Sequence, residues 1–276
     1  MRKAIFIGNS FIYYGGCVKC GGEFKNDAAS PECAEKRKDD RGLFYRLCKQ
    51  NGLDVSVTDA THGGRILAHF TPNGDGEQYP TAGIDLLGSF DLSSYTDVFI
   101  SEAGRNNADF LQDMKKVMER FTNPDVTFYY LIHNYTIEHR HNNILSALPL
   151  LRMNGVRIIP WGCLVYDIIV GDAEINDAEC RYNKNSFIVK QNAGDGYHPN
   201  PLSGYITAQM CYSAMTGKSA VGTDTSFCAD TVDFEAFTDA HYGFENSVTN
   251  YPEIISSADM EQIQAHCDKY IERFNN

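Results

Sequence analysis

Short apolar runs alternate with segments of helical character along most of the chain. The apolar runs are rich in β-branched or aromatic residues, which is typical of buried strands. The predicted strands are residues 4–7, 54–58, 97–101, 127–132 and 156–161. The predicted helices are residues 42–51, 108–121, 137–153, 201–216 and 258–274. This alternation predicts an α/β fold in which helices cover both faces of a parallel sheet.

Several predicted helices carry start and stop signals. Gly52 and Gly217 each follow a helical segment, as glycine commonly does after the last turn. Asn200 is a predicted N-cap, and Pro201 suits the first helical position. The last helix has one apolar face. That face consists of Met260, Ile263, Cys267, Tyr270, Ile271 and Phe274.

The 276 residues suit one large domain with embellishments. We predict a single domain over residues 1–276, with an insertion at 15–40 and a C-terminal extension at 221–276. The insertion is rich in Gly, Lys, Asp, Glu and Cys, and it is long for a connection between a strand and a helix. In the extension, residues 221–257 are acidic and aromatic and show no clear period.

The net charge and the hydropathy pattern of the chain narrow the classes of partner that we expect it to bind. The net charge is −12, which argues against nucleic acid and against an anionic membrane surface, since both need clustered Lys and Arg. The first strand begins within the first few residues, with no longer apolar segment before it, so we expect no signal peptide. No run approaches the roughly 18 apolar residues of a membrane span. We therefore expect a cytoplasmic protein.

The first strand is followed by Gly8-Asn9-Ser10, at the strand end where α/β folds place their ligands. Near the other end of the chain, Asp195 and His198 lie three positions apart in a glycine-containing turn. A serine hydroxyl becomes nucleophilic when a histidine removes its proton and a carboxylate orients that histidine. These residues therefore predict a Ser-His-Asp hydrolase with Ser10 as its nucleophile.

Acyl transfer also needs donors for the oxyanion. Gly63 and Gly64 follow the second strand, and a glycine N–H can approach a substrate closely because no Cβ intervenes. Asn106 and Asn107 follow the third strand, and a side-chain amide of either could serve as a further donor. We favour Gly64 and Asn106; a turn glycine and a helix N-cap are the structural alternatives.

The order of these segments resembles the SGNH/GDSL hydrolase superfamily. Its first block is matched by Gly8-Asn9-Ser10, with Asn9 where Asp is usual, and its glycine block by Gly64. Its third block is matched by Gly104-Arg105-Asn106, with Asn107 in place of the final Asp, and its last block in full by Asp195-Gly196-Tyr197-His198. The matches span residues 8–198, and their specificity comes from having all four in order.

This resemblance implies a flavodoxin-like three-layer α/β/α fold with a five-stranded parallel sheet. It implies Ser10 as nucleophile, His198 as base and Asp195 as the acid that orients it. It also implies an oxyanion hole formed by the N–H groups of Ser10 and Gly64 and the side chain of Asn106. The family hydrolyses esters and thioesters, often acetyl groups on sugars, and requires no metal or other cofactor. We therefore expect a small-molecule or carbohydrate ester as substrate.

Other polar residues flank these segments. His62 and Arg65 lie beside the glycine block, and His133 follows the fourth strand, so we expect them near the substrate pocket. His139 and His141 complete a second histidine cluster, but side chains two positions apart diverge on a helix, which favours a polar loop over a metal site. The single tryptophan, Trp161, is predicted to end the fifth strand and to lie in the core.

The insertion contains Cys17, Cys20 and Cys33. Thiolates at this spacing chelate zinc well, and Cys48 could supply a fourth ligand for a structural zinc ion. Free thiols in a mobile loop are the alternative. The cysteines leave open a second function, that of a zinc-stapled protein built on this loop. A non-catalytic carbohydrate-binding protein of the same fold is a further alternative to an esterase.

Overall fold

The computed structural model describes residues 1–20, 35–72, 85–102, 109–173, 187–188, 197–224 and 257–276. Five strands form one parallel sheet in the order β2-β1-β3-β4-β5. They are β1 (Arg2–Ile7), β2 (Val55–Asp59), β3 (Asp97–Ile100), β4 (Thr127–Leu131) and β5 (Arg157–Ile159). The predicted α/β class and parallel sheet are confirmed, and this strand order is the flavodoxin-like one.

Helices on the two faces of the sheet complete three α/β/α layers. The helices are α1 (Ser10–Tyr13), α2 (Leu43–Gln50), α3 (Phe110–Met118), α4 (Asn134–Glu138), α5 (Asn142–Met153), α6 (Trp161–Val170), α7 (Pro201–Thr216) and α8 (Ser257–Asn275). Short 3₁₀ helices span Leu67–Phe70 and Leu92–Ser94. Helix α7 packs between α2 and α8, whereas α3 packs against α5. Within the described part of the chain, no helix has the length and apolar character needed to cross a bilayer.

Aromatic side chains link the central strands. Phe6, Phe99 and Tyr129 stand on neighbouring strands, and the ring of Phe99 stacks on both others with centroids 4.5 Å apart. The Phe44 ring of α2 meets Phe6 and Phe99 edge-on, at 5.2 and 5.4 Å. Strands covered on both faces are apolar at consecutive positions, which explains why the apolar runs predicted them.

The helix predicted over residues 137–153 is wrong, because this stretch belongs to two helices. Helix α4 ends at Glu138 and α5 begins at Asn142. Between them, Arg140 has a left-handed φ of 48°, a conformation that no α-helix can continue through. The His141 N–H turns back to the Thr136 carbonyl at 3.0 Å, which closes the end of α4.

The fifth strand ends earlier than predicted, at Ile159. Pro160 precedes a helix that the sequence patterns did not reveal, and Trp161 is the first residue of that helix, α6. The predicted place of Trp161 in the core is confirmed, since it is fully buried. The Gly162 N–H donates to the Ile132 carbonyl at 2.8 Å, so α6 begins directly against the end of β4.

The described ends of the insertion pack into the protein. Cys17, Cys20 and Asp40 are buried, and one Asp40 carboxylate oxygen accepts the N–H groups of Lys19 and Cys20 at 2.8 and 2.9 Å. Within the described residues, no three His, Cys, Asp or Glu side chains are grouped so that they could hold a metal ion. Cys33 lies outside the described residues, so the zinc site stays a prediction.

The C-terminal extension includes the last helix of the fold. Helix α8 packs against α7, α6 and β5. Within its predicted apolar face, Ile271 and Phe274 are only partly buried. Its other members, Met260, Ile263, Cys267 and Tyr270, are buried. Residues 225–256 lie outside the described part of the chain.

Candidate active site

The turn after β1 places Ser10 at the carboxyl edge of the sheet, where β1 lies between β2 and β3. A Cβ on Gly8 would lie 2.8 Å from the Ser101 carbonyl oxygen, so glycine lets the ends of β1 and β3 approach. The Asn9 side chain caps α1 by accepting the Phe11 N–H at 3.0 Å. Ser10 is therefore the first residue of α1, and 8% of it is exposed.

The structure brings His198 to Ser10. The two residues are 188 positions apart in the chain, yet His198 Nε2 lies 2.7 Å from Ser10 Oγ, which is hydrogen-bond distance. His198 lies three positions before Pro201, the first residue of α7. The N-cap Asn200 accepts the N–H groups of Leu202 and Ser203 on Oδ1. The predicted N-cap and the proline at the first helical position are confirmed.

A buried amide supports the segment that carries His198. Asn134 begins α4, three positions after the end of β4, and only 1% of it is exposed. Its Nδ2 donates to the Tyr197 carbonyl at 3.0 Å. Sequence patterns gave no signal for this residue, because the bond joins two segments that lie far apart in the chain.

Hydrogen bonds also link the glycine segment, residues 61–65, to the turn that carries Ser10. The His62 N–H donates to the Gly8 carbonyl at 2.9 Å, and the Asn9 amide donates to the Arg65 carbonyl at 3.4 Å. An aspartate at position 9 would lack this second donor. Gly64 is exposed with φ of +68°, and a Cβ added there would meet no atom within 4 Å.

The three residues expected near the pocket differ in exposure. Arg65 is partly exposed, whereas His62 and His133 are buried, 4% and 0% exposed. Burial lowers the pKa of each histidine to about 3, helped for His62 by the positive charges of Arg37 and Arg65. Both rings are therefore neutral near pH 7 and serve as packing or hydrogen-bonding groups.

The hydrogen bonds of His133 define which of its nitrogens carries the proton. The Thr136 N–H donates to Nδ1 at 3.2 Å, so Nδ1 is unprotonated and Nε2 carries the hydrogen. Nε2 then donates to the Glu102 carbonyl at 2.9 Å. The ring also stacks on Phe11 with centroids 4.2 Å apart. The His133 ring therefore packs against Phe11, the residue that follows Ser10.

Aromatic rings surround the Ser10–His198 pair, and the local sequence pattern did not reveal them. The Tyr14 ring lies parallel to the His198 ring, with centroids 4.0 Å apart and 13° between the planes. The rings of Tyr197 and Phe11 approach His198 at tilted angles, at 4.5 and 5.2 Å. Tyr197 is 40% exposed. The four-residue spacing of Ser10 and Tyr14, one helical turn, is the signal that could have revealed Tyr14.

Two buried charged side chains, Arg37 and Asp59, contact the turn that precedes Gly63 and Gly64. Arg37 is 1% exposed and donates to the carbonyls of Asp59 and Thr61 at 3.1 and 2.9 Å. The Asp59 carboxylate accepts the Thr61 N–H at 2.8 Å. Burial and the nearby Asp40 raise the pKa of Asp59 to about 6, although Arg37 opposes this. This group holds the turn that leads from β2 to Gly63 and Gly64.

Several predicted site residues lie outside the described residues. They are Asp195, Asn106 and the neighbouring Asn107. Their predicted roles in orienting the histidine and in binding the oxyanion stay predictions. Glu102, immediately before residues 103–108, is buried and accepts the Leu67 N–H on its carboxylate at 3.3 Å. The end of β3 is therefore linked to the segment that follows Gly64.

Comparisons with known proteins give little further guidance. No family model matches the chain, and no curated protein matches it. Among solved structures, the chain is similar to a carbohydrate esterase whose active site displays divergent catalytic and non-catalytic binding functions. That likeness covers 79% of this chain and 69% of the other, with a TM-score of 0.44 and 13% sequence identity. The chemistry of the site must therefore follow from the residues of this chain.

Proposed function

We propose that this chain is a serine hydrolase of the SGNH/GDSL type that cleaves small acyl esters. The observation that carries the proposal is the 2.7 Å distance between Ser10 Oγ and His198 Nε2. The pair lies at the carboxyl edge of a parallel sheet, beside the point where the strand order reverses between β1 and β3, and doubly wound folds bind ligands at such points. The resemblance of the four sequence blocks supports the same assignment.

The reaction follows from this pair. Ser10 Oγ attacks the acyl carbon while His198 Nε2 accepts the hydroxyl proton, and the imidazolium then protonates the departing alcohol. Water attacks the acyl-enzyme by the same proton transfers and releases the carboxylic acid. We assign to Asp195 the role of accepting the Nδ1–H of His198, which would fix the tautomer that leaves Nε2 free to accept.

Oxyanion stabilisation is assigned to three donors. Ser10 is the first residue of α1, and the first N–H groups of a helix have no carbonyl partner within that helix. Gly64 N–H and the Asn106 side chain complete the proposed set. Each donor of this kind typically contributes about 10²- to 10³-fold to the rate constant kcat. The mechanism requires no metal or other cofactor.

The proposed substrate is an ester with a small acyl group, and the family resemblance favours an acetyl group on a carbohydrate or a similar metabolite. A preference for p-nitrophenyl acetate over the butyrate and octanoate esters is therefore the expected pattern of hydrolysis.

The experiment compares p-nitrophenyl acetate hydrolysis by the wild type, Ser10→Ala and Ser146→Ala. Ser146 is an exposed serine on α5 and controls for the loss of a hydroxyl. We expect Ser10→Ala to reduce kcat by about 10³-fold or more, with Ser146→Ala unchanged. Wild-type protein without activity, or equal activity in Ser10→Ala, would contradict the proposal and favour a carbohydrate-binding role, in which ligand binding survives the Ser10→Ala change.

A further inference from the structure

We propose that Tyr14 is a positioning residue that stabilises the protonated form of His198 during hydrolysis. The inference rests on the proposed function and adds a role that the four sequence blocks do not include. The Tyr14 and His198 rings are nearly parallel, with 13° between their planes and 4.0 Å between their centroids. The face of the tyrosine ring therefore lies against the face of the imidazole.

The backbone of α1 explains how Tyr14 reaches this place. The Tyr14 N–H donates to the Ser10 carbonyl at 3.0 Å, which is the hydrogen bond that closes one helical turn. Residues four positions apart on a helix share a face. The nucleophile and the ring that covers the base are therefore presented together, and a movement of α1 would shift both relative to His198.

The chemical consequence follows from the charge that His198 acquires. When Ser10 Oγ attacks, its proton moves to His198 Nε2 and the neutral imidazole becomes a cation. A cation over the face of a tyrosine ring is attracted by the electron density of that face, whereas a neutral ring gains less. An interaction that is stronger after proton transfer lowers the barrier and not merely the energy of the bound substrate.

Among the described rings near His198, the Tyr14 ring is the one that lies nearly parallel to the imidazole. The rings of Phe11 and Tyr197 are tilted by 32° and 38° relative to the imidazole.

His133 stacks on Phe11, and burial lowers its pKa to about 3, so it is neutral and does not repel a cation. Tyr13, which adjoins the Tyr14 ring, is kept neutral because burial raises its pKa. The Ser10 hydroxyl and, in the proposed mechanism, the Asp195 carboxylate act on the imidazole nitrogens instead.

The test compares Tyr14→Leu, Tyr14→Phe and Tyr14→Trp with the wild type, using p-nitrophenyl acetate across a pH series. Tyr14→Leu removes the ring, and we expect kcat to fall about fivefold while KM changes less than twofold. We expect the acid limb of kcat/KM to move to lower pH by about half a unit, because the protonated histidine loses its support. Tyr14→Phe keeps the ring and should stay within about twofold of wild type. Tyr14→Trp should move the acid limb to higher pH.

Tyr45→Leu is the matched control, since Tyr45 is a partly exposed tyrosine on α2. It should change neither kcat nor the pH profile. Equal losses in Tyr14→Phe and Tyr14→Leu would overturn the inference, because they would assign the effect to the hydroxyl. An unchanged acid limb in both Tyr14→Leu and Tyr14→Trp would also overturn it.

A second readout separates this inference from the proposed function. The titration midpoint of the His198 ring, followed by NMR in wild type and in the Tyr14 variants, does not depend on turnover. We expect it to move down in Tyr14→Leu and up in Tyr14→Trp. If wild type shows no Ser10-dependent hydrolysis, the proposed function fails while this titration still decides whether the two rings interact as inferred. Equal midpoints in all variants would contradict the inference whether or not the protein is an esterase.

Discussion

The backbones of Gly15 and Gly204 are in direct contact, and a Cβ on Gly204 would lie 1.6 Å from the Gly15 carbonyl oxygen. Gly15 follows α1, which begins with Ser10, and Gly204 lies in the first turn of α7, shortly after His198. This contact therefore sets the separation between the two elements that bring Ser10 and His198 together. Glycine at both positions is the condition for so close an approach.

We predict that Gly204→Ala lowers both stability and activity. The new methyl group must push α7 away from the Gly15 carbonyl, and overpacking of this kind typically costs about 1–3 kcal/mol of unfolding free energy. Because a displacement of about 1 Å at a catalytic group can cost on the order of 10²-fold, we expect kcat for p-nitrophenyl acetate to fall more than tenfold. Urea denaturation and steady-state kinetics measure the two effects.

Gly217→Ala is the matched control at the other end of α7. Gly217 ends the helix with a left-handed φ of 68°, and a Cβ added to it would meet nothing within 4 Å. The substitution should cost about 1 kcal/mol through backbone strain and leave kcat unchanged. A Gly204→Ala protein with wild-type kcat would show that the glycine contact does not control the Ser10–His198 geometry.

We predict a loss of activity for Asn134→Asp. The substitution replaces the buried NH₂ group that donates to the Tyr197 carbonyl with a carboxylate oxygen, which cannot donate and faces the carbonyl repulsively. A buried acceptor left without its donor typically costs about 1–3 kcal/mol. We expect kcat to fall about tenfold at pH 8 with little change in KM, since His198 loses support while the rest of the site is kept.

The control for this change is Asn154→Asp. Asn154 also donates from Nδ2 to a carbonyl, that of Leu150 at 2.7 Å, but it is exposed at the end of α5. Water can replace that hydrogen bond, so kcat should be unaffected. Equal kinetics in the two variants would argue against a role for Asn134 in holding the histidine segment.

The sequence predicts those parts of the fold and site that depend on local pattern. Buried parallel strands appear as apolar runs, so the sheet could be predicted from them. The boundary between α4 and α5 could not, because the turn at Arg140 closes through hydrogen bonds within an otherwise helix-forming stretch. The pattern places Trp161 in a strand because apolar residues continue from β5 into α6 without a change of period.

In the candidate site too, local patterns predict some residues, whereas others depend on contacts between distant parts of the chain. Ser10 and His198 lie in short recognisable segments, and the structure brings their side chains together. The hydrogen bond from Asn134 to the Tyr197 carbonyl joins distant parts of the chain, so no local pattern encodes it. Tyr14 lies one helical turn after Ser10, a spacing that the sequence does contain, but its contact with His198 depends on the fold. The burial of His133 was also not predictable, because it depends on the packing of Phe11 against the end of β4.

We predict that the protein loses stability as the pH falls below about 6.5. His62 and His133 have pKa values near 3 in the folded protein, compared with about 6.5 when unfolded. Between these values the unfolded chain binds more protons, so each histidine destabilises the fold by up to about 1.4 kcal/mol per pH unit. From pH 7.5 to pH 5 the two together should remove about 4 kcal/mol. Asp59, which gains a proton in the folded protein over the same interval, should return about 1.4 kcal/mol, so urea unfolding should show a net fall of roughly 2.6 kcal/mol.

A variant separates this effect from general acid sensitivity. His62→Gln removes one of the two titrating rings, so its unfolding free energy should fall less steeply than that of wild type, by about 2 kcal/mol less over the same interval. For each protein, the unfolding free energy at pH 7.5 is the reference from which the fall is measured. Parallel curves for wild type and His62→Gln would refute the assignment of acid sensitivity to this buried ring.

Asp59 should change the stability of the protein with pH in the opposite direction to the two histidines. Its pKa is about 6 in the folded protein, raised by burial and by Asp40, compared with about 3.9 when unfolded. The folded protein therefore binds more protons in this window, and stability is lost as the pH rises from about 4 to 6. Asp59→Asn cannot ionise, yet it keeps an oxygen to accept the Thr61 N–H.

The Asp59→Asn protein should therefore gain stability relative to wild type as the pH rises. We expect the difference in unfolding free energy between the two proteins to grow by about 2 kcal/mol from pH 4 to pH 7.5, which isolates Asp59 from the histidines because they titrate in both proteins. The same substitution at the exposed Asp125 controls for the loss of one negative charge. A difference that stays constant across this range would mean that Asp59 does not carry a buried, costly charge beside Arg37.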